Sequence, residues 1–360
     1  MATLAPRDYS LLGPSATLAH ERGLVTAEWY HTRIPRRRMK ELMQRSDQPA
    51  ILHTLIWIGC FVVTGAGGYL SWGSWWAVPF FLAYGVLYGS STDSRWHECG
   101  HGTAFKTPWR NEVIYQIASF MILREPTVWR WSHARHHTDT IIVGRDPEIV
   151  TPRPPDIRGI LLSFVGIEQA RFYFRKLFIH AAGRLLPDEA TYIPESEHHK
   201  VFRIARIHLA IYLAVVALAI GTRSILPLMY VGLPSFYGAW LYILTGLTQH
   251  VGLAEDVLDH RLNCRTVYMN PIVRFLYLNM NYHVEHHMFP MVPYHRLPEL
   301  HEEMKGDTPK PYNGFYEAYR EIIPTLLRQR KDPGYYVKRE LPPGACPFVP
   351  PGQAQPIAAE

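Results

Sequence analysis

The chain predicts an all-α integral membrane protein: two transmembrane helical hairpins, about four spans, with a cytoplasmic helical cap that carries a histidine-rich site. Three observations predict it. No Asp, Glu, Lys or Arg occurs from Ala50 through Thr92. A second apolar block, Ile207 to Ala254, is interrupted by one charge, Arg223. Three histidine clusters flank these blocks: His97-Glu-Cys-Gly-His101, His133-Ala-Arg-His136-His137 and His283-Val-Glu-His286-His287.

The elements follow in order. Residues 1–49 read as a cytoplasmic arm with a short basic helix, because Arg33, Arg36, Arg37, Arg38, Lys40 and Arg45 precede the first apolar run. Positive charge beside a span marks the cytoplasmic side. As one helix, the run 50–92 would extend roughly 60 Å, about twice a bilayer core. It therefore reads as two spans with a turn near Gly68–Trp75, where Trp favours the interface. Asp93 marks the exit, and a helix continues through the first histidine cluster. Val113–Leu123 is apolar but too short to span, so it lies in the interface or against the site. The second cluster sits on a Trp-rich stretch. Residues 146–158 are Pro-rich and turn-like. Residues 159–180 are amphipathic, with Arg171, Arg175 and Lys176 among aromatics, and read as a helix at the membrane surface. The second hairpin fills 207–254, and 255–275 is a polar connection. Leu276–Met288 reads as the helix of the third cluster, stopped by Pro290 and Pro293. The catalytic unit is thus 50–305. Residues 306–340 form a C-terminal cytoplasmic helical segment, and 341–360, rich in Pro, Gly, Ala and Gln, a disordered tail.

Two hairpins return the chain to the cytoplasm twice, so all three clusters fall on that side. The net charge of +6 suits anionic lipid headgroups or an acidic redox partner. Motifs for nucleic-acid binding are absent, and no nucleic-acid partner is expected. Cys60, Cys99, Cys264 and Cys346 are scattered, with no paired spacing for disulfides or clusters. The first forty residues are polar and basic and do not read as a cleaved leader.

Each histidine cluster spaces its rings at i, i+3 or i+4, one face of a helix. With 19 His in 360 residues, chance gives roughly 0.05 copies of H-x-x-H-H, so two copies are about a one-in-a-thousand accident. Eight imidazoles are too many for one zinc, which takes about four ligands. They suit two metals with open positions. Imidazole alone does not choose among iron, zinc, copper and nickel. The membrane setting favours an oxidative site, since the hairpins would deliver unactivated C–H bonds. Metal-bound imidazoles usually donate their outer N–H to a carboxylate or carbonyl. Asp93, Asp139 and Asp146 are the expected acceptors, while Glu98 and Glu285 point off the ligand stripe and read as structural or surface groups. His295 and His301 read as surface groups or as neighbours of the ligands.

The boxes H-x-x-x-H, H-x-x-H-H and H-x-x-H-H, in this order around two hairpins, resemble the membrane fatty acid desaturase/hydroxylase superfamily. The first box resembles its acyl-lipid desaturase branch. The third, Asn281-Tyr-His283-Val-Glu-His286-His287-Met-Phe-Pro290, is very similar to that family's last box. The resemblance covers roughly 50–305. It implies that His97, His101, His133, His136, His137, His283, His286 and His287 bind two iron ions. It also implies a ninth ligand just after the last span, where His250 sits. Where some members place an Asn four positions earlier, this chain has Gly246. The implied enzyme uses dioxygen and external electrons to desaturate or hydroxylate a lipid-like, fatty acyl substrate. No dinucleotide fingerprint, clustered cysteines or haem-attachment motif is present, so electrons would come from a separate ferredoxin or cytochrome b5 with its reductase. The absence of a fused cytochrome b5 domain favours a bacterial inner membrane.

Three other readings use the same residues. His97-Glu98-Cys-Gly-His101 matches H-E-x-x-H, the pattern of a zinc metalloprotease with Glu98 as base, but leaves both H-x-x-H-H clusters unemployed. A histidine-rich metal carrier is opposed by the placement of the clusters on membrane-anchored helices. Gly144-Arg-Asp146-Pro147-Glu148 and Asn263-Cys-Arg265-Thr266 resemble a bacterial branch that includes rhizopine-catabolism oxygenases. That likeness implies monooxygenation or oxidative demethylation of a small polar molecule.

Overall fold

A computed structural model describes residues 7–26 and 28–347. The described chain is almost wholly helical. Its only strands, β1 (Val267–Tyr268) and β2 (Tyr312–Asn313), form one short parallel pair. The N-terminal arm carries α1 (Pro14–Glu21) and the basic α2 (Arg36–Leu42). The first hairpin is α3 (Asp47–Leu70) and α4 (Ala77–Gly89), with Ser46 capping α3 through its side chain. Trp75 and Trp76 stand out at the turn, 90% and 75% exposed. The second hairpin opens with α10 (His198–Gly221).

Two helices, those ending at Leu70 and Gly221, are long and apolar enough to cross a membrane. Only 11% and 17% of their apolar stretches are buried. A core helix of a soluble protein would be mostly buried, so these exposed apolar faces fit candidate membrane spans. The return arms differ from the two further long spans expected. α4 has 13 residues, about 20 Å. It reaches further only by passing, after a kink at Ser90, into α5 (Ser91–Gly100). The fourth arm is broken into α11 (Leu226–Tyr230), α12 (Pro234–Tyr237) and α13 (Trp240–His250). Pro227 and Pro234 start new helices there, and Gly232 takes a positive φ that ends the first.

The hairpins lock together where glycines remove side chains. A Cβ on Gly89 would sit 2.6 Å from the Pro234 carbonyl oxygen, and one on Gly238 would fall within the Gly85 carbonyl. Only glycine permits this approach of α4 to α12. At the kink, Ser90 donates to the Gly238 carbonyl and accepts from the Tyr242 amide.

The remaining helices pack around these. α6 (Pro108–Met121) lies against α5, so the short apolar stretch covers the site. α7 (Pro126–Thr138) is capped by Glu125, which accepts from Val128 N at 2.6 Å. The amphipathic stretch forms α8 (Ile157–Ser163) and α9 (Ile167–Ala181), separated at Gly166, and α9 packs on α10. The connection holds α14 (His260–Asn263) and α15 (Pro271–Leu276). The third cluster lies on a shorter helix than expected: α16 is His283–Met288 alone. Leu278 and Asn279 adopt positive φ, and Asn281 bonds Val267 through both backbone and side chain, which breaks the run before the box. α17 (Leu297–Met304) and α18 (Gly314–Gln329) complete the described chain. Residues 341–347 have no regular structure, and 348–360 lie outside the described residues.

Candidate metal centre

The ligand stripes meet because each rides a different element. His97 is on α5 and His101 is its C-cap. His133, His136 and His137 are on α7, His250 ends α13, and the third box is α16. The structure brings all nine predicted imidazoles together in two nests. In the first, one ligand atom each from His97, His101, His133, His137 and His286 lie within 4.8 Å of one another. The second holds His136, His250 and His287 on the same criterion, and His283 joins it with Nε2 2.9 Å from His250 Nε2.

The Nε2 atoms converge. His133 Nε2 is 3.1 Å from His101 Nε2 and 3.2 Å from His137 Nε2, which is 3.2 Å from His286 Nε2. The outer nitrogens face acceptors. His133 Nδ1 meets Glu148 at 2.9 Å, His136 Nδ1 meets Asp146 at 2.8 Å, and His250 Nδ1 meets the Asn263 carbonyl at 2.8 Å. A carbonyl oxygen only accepts, so His250 Nδ1 carries the proton and Nε2 presents a lone pair. His133 and His136 are oriented likewise by their carboxylates. His287 Nδ1 lies 3.3 Å from Thr140 Oγ1.

Burial keeps the rings neutral, the form that ligates. It pushes His97, His133, His137, His283, His286 and His287 well below the ordinary range, and His101 to about 4. At His136 burial pulls the same way, but Asp146 more than offsets it and the value is raised. Lone pairs aimed at lone pairs in a buried space are repulsive unless a cation lies between them. Two nitrogens about 2.1 Å from one ion and at right angles stand about 3.0 Å apart, close to the spacings seen here. The donor set fits two metal ions of imidazole preference.

Other predicted site residues are placed differently. Asp146 reaches a ligand ring. Asp93 instead binds Arg124 at 2.7 Å, and Asp139 binds Arg145 at 3.0 Å and Arg135 at 3.5 Å. Glu98 and Glu285 are not surface groups, since both are fully buried. Glu98 Oε1 lies 3.4 Å from His97 Nδ1 and 3.9 Å from His286 Nδ1, between two ligand rings. Its other oxygen accepts from Tyr294 N and Thr103 Oγ1. Glu285 holds Thr266 and buried His301. Sequence reasoning also missed Glu148, Asn263, Thr140 and His260. Glu148 was visible as the acid two residues after Asp146. His260 and Cys264, buried beside His287, had no box to announce them.

A model of the family described as fatty acid desaturase matches residues 71–319. The chain belongs to the fatty acid desaturase family. It is 23% identical to a Delta(12) acyl-lipid conjugase (11E,13E-forming) of Impatiens balsamina, covering 76% of this chain and 75% of that one. It is 24% identical to a chloroplastic sn-2 acyl-lipid omega-3 desaturase (ferredoxin) of Arabidopsis thaliana, over 68% and 58% of the two chains. A sphingolipid delta(4)-desaturase of Drosophila melanogaster is 24% identical over 64% and 66%. This desaturase-family chain is therefore an enzyme of desaturase type, an oxidoreductase with a histidine-built metal site.

Proposed function

We propose that this enzyme is a membrane-bound non-haem di-iron oxidoreductase that uses dioxygen and external electrons to desaturate or hydroxylate a lipid-like substrate. The observation that carries this reading is the convergence of nine imidazoles into nests of five and four. His97, His101, His133, His137 and His286 would hold one iron, and His136, His250, His283 and His287 the other. Iron bound there supplies reductive activation of dioxygen and removal of hydrogen from an unactivated carbon. The chain's own residues orient the rings through Glu148, Asp146, Asn263 and Thr140. They also exclude water: six of the nine imidazoles are buried.

The basic arm before α3 supports a cytoplasmic placement of the site. The kinked and broken return arms would complete the four spans, with the cap on the cytoplasmic face of a bacterial inner membrane. A ferredoxin or cytochrome b5 with its reductase would deliver the electrons. The experiment is expression with a reductase in a lipid-competent host, followed by metal analysis and mass analysis of lipids. Two irons per chain and an acyl product lacking two hydrogens, or carrying one added oxygen, are expected. One zinc per chain and no iron would overturn the reading.

A further inference from the structure

Two cavities meet beside the histidines. One, about 280 Å³, has His97, His133, His136, His250 and His283 in its wall. The other, about 410 Å³, lies under α9. Asp93, Arg124, Trp129, Val150, Gly246 and Gln249 line both, so they form the neck between them. Within that neck stands the ion pair Asp93–Arg124. The guanidinium lies 4.0 Å from the Trp96 ring centre and 4.5 Å from that of Trp129, which fixes its plane.

Three of the pair's five polar atoms are spare. Arg124 Nη1 donates to Asp93 Oδ1 at 2.7 Å. Among the described residues, Asp93 Oδ2 and Arg124 Nε and Nη2 have no hydrogen-bond partner, and none is sealed in protein. They open on the cavities. Taking an ion pair out of water is costly unless its remaining donors and acceptors are filled. A bare hydrocarbon in this neck would leave them unfilled.

We propose that Asp93 and Arg124 read a neutral polar group of the substrate that both donates and accepts, such as an amide or a hydroxyl. Its oxygen accepts from Arg124 and its N–H or O–H donates to Asp93. A carboxylate would meet Asp93, and an amine would meet Arg124. Asp93 stands four residues before His97 on α5, just over one turn or about 6 Å along the axis. The polar group therefore lies only a few bonds from the carbon that reacts. This inference rests on the proposed function for what happens at that carbon, but not for the binding itself.

The test uses the full chain in detergent solution and measures displacement of a fluorescent acyl probe by decanamide, undecane and decanoate. Wild type should bind decanamide roughly ten- to a hundredfold tighter than undecane, the worth of a hydrogen bond to a charged group. Arg124→Met should erase that preference while metal content and undecane binding stay unchanged. Should that variant fail to fold, the double variant Asp93→Leu/Arg124→Met, which removes both partners and leaves neither charge unpaired, should erase it. Equal binding of decanamide and undecane by wild type, tighter binding of decanoate, or a preference that survives in the folded variants overturns the proposal. Selective binding of decanamide with no oxidation by the reduced, iron-loaded enzyme would leave the reader standing and count against the oxidase reading. Where decanamide is oxidised, product oxidised near the amide supports the reader, and product oxidised only at the far end of the chain overturns it.

Discussion

The two imidazole nests draw on the same helices, yet they are held differently. In the nest of four, three outer nitrogens meet near acceptors: Asp146 for His136, the Asn263 carbonyl for His250 and Thr140 for His287. Among the described residues, in the nest of five only His133 has one, Glu148; His97 and His286 share Glu98 at longer range, and His137 Nδ1 is buried without a partner. The smaller nest is fixed ring by ring. The larger is fixed by backbone, through the i, i+4 spacing on α5 and α7. Redundancy in one and anchoring in the other predict unequal responses to substitution.

The largest effect should come from removing a ring. His250→Ala leaves three donors in the anchored nest, and His137→Ala leaves four in the other. Both should abolish product formation. Metal analysis should separate them: His250→Ala should fall toward one iron per chain, while His137→Ala should retain more of the second. Equal losses would remove the asymmetry.

Next come the acceptors. Partners that orient a ligand imidazole are worth about 10- to 100-fold in metal affinity. Asp146→Asn should fall in that range. It also loses charge assistance in the bonds Asp146 accepts from Ile141 N and Glu148 N. Glu148→Gln should fall at the low end, because Glu148 meets one ring and Ser132 and supports no backbone amide. Competition against a chelator would order the two, and the reverse order would break the comparison.

Glu98 should matter less than its place in H-E-x-x-H suggests. Burial pushes its carboxyl up, and the bonds its Oε2 accepts from Tyr294 N and Thr103 Oγ1 are ones a Gln carbonyl oxygen also accepts. Glu98→Gln then replaces an acid by a near-isostere and should keep most activity. A hydrolytic general base cannot survive that change. Near-complete loss with iron retained would restore a protonic role for Glu98.

How much of this was legible depended on whether a residue announces itself by spacing. The boxes did, since imidazoles at i and i+4 share a helix face whatever the tertiary fold. His250 was placed only by the resemblance to the desaturase superfamily, which implies a ninth ligand at the end of the last span. The long apolar helices were legible from missing charge alone. The break at Leu278–Asn279 was not, because it comes from pairing with Val267 across the chain. The ring acceptors were only partly legible. Asp93 and Asp146 have the same sequence credentials, an acid near a box. Asp93 is captured by Arg124, a partner 31 residues away, and no local pattern encodes that.

Asp139 gives the smallest and sharpest test of this distinction. It lies two residues after the second box, yet its carboxylate spans Arg135 and Arg145 and meets no imidazole among the described residues. Asp139→Asn keeps an acceptor for one guanidinium and loses the charge. Stability should fall by about 1–2 kcal/mol, as for a weakened charge-assisted bond, read by thermal unfolding. Metal affinity should not change. If affinity instead drops as far as in Asp146→Asn, closeness to a box, and not contact with a ring, decides which acids serve the metals.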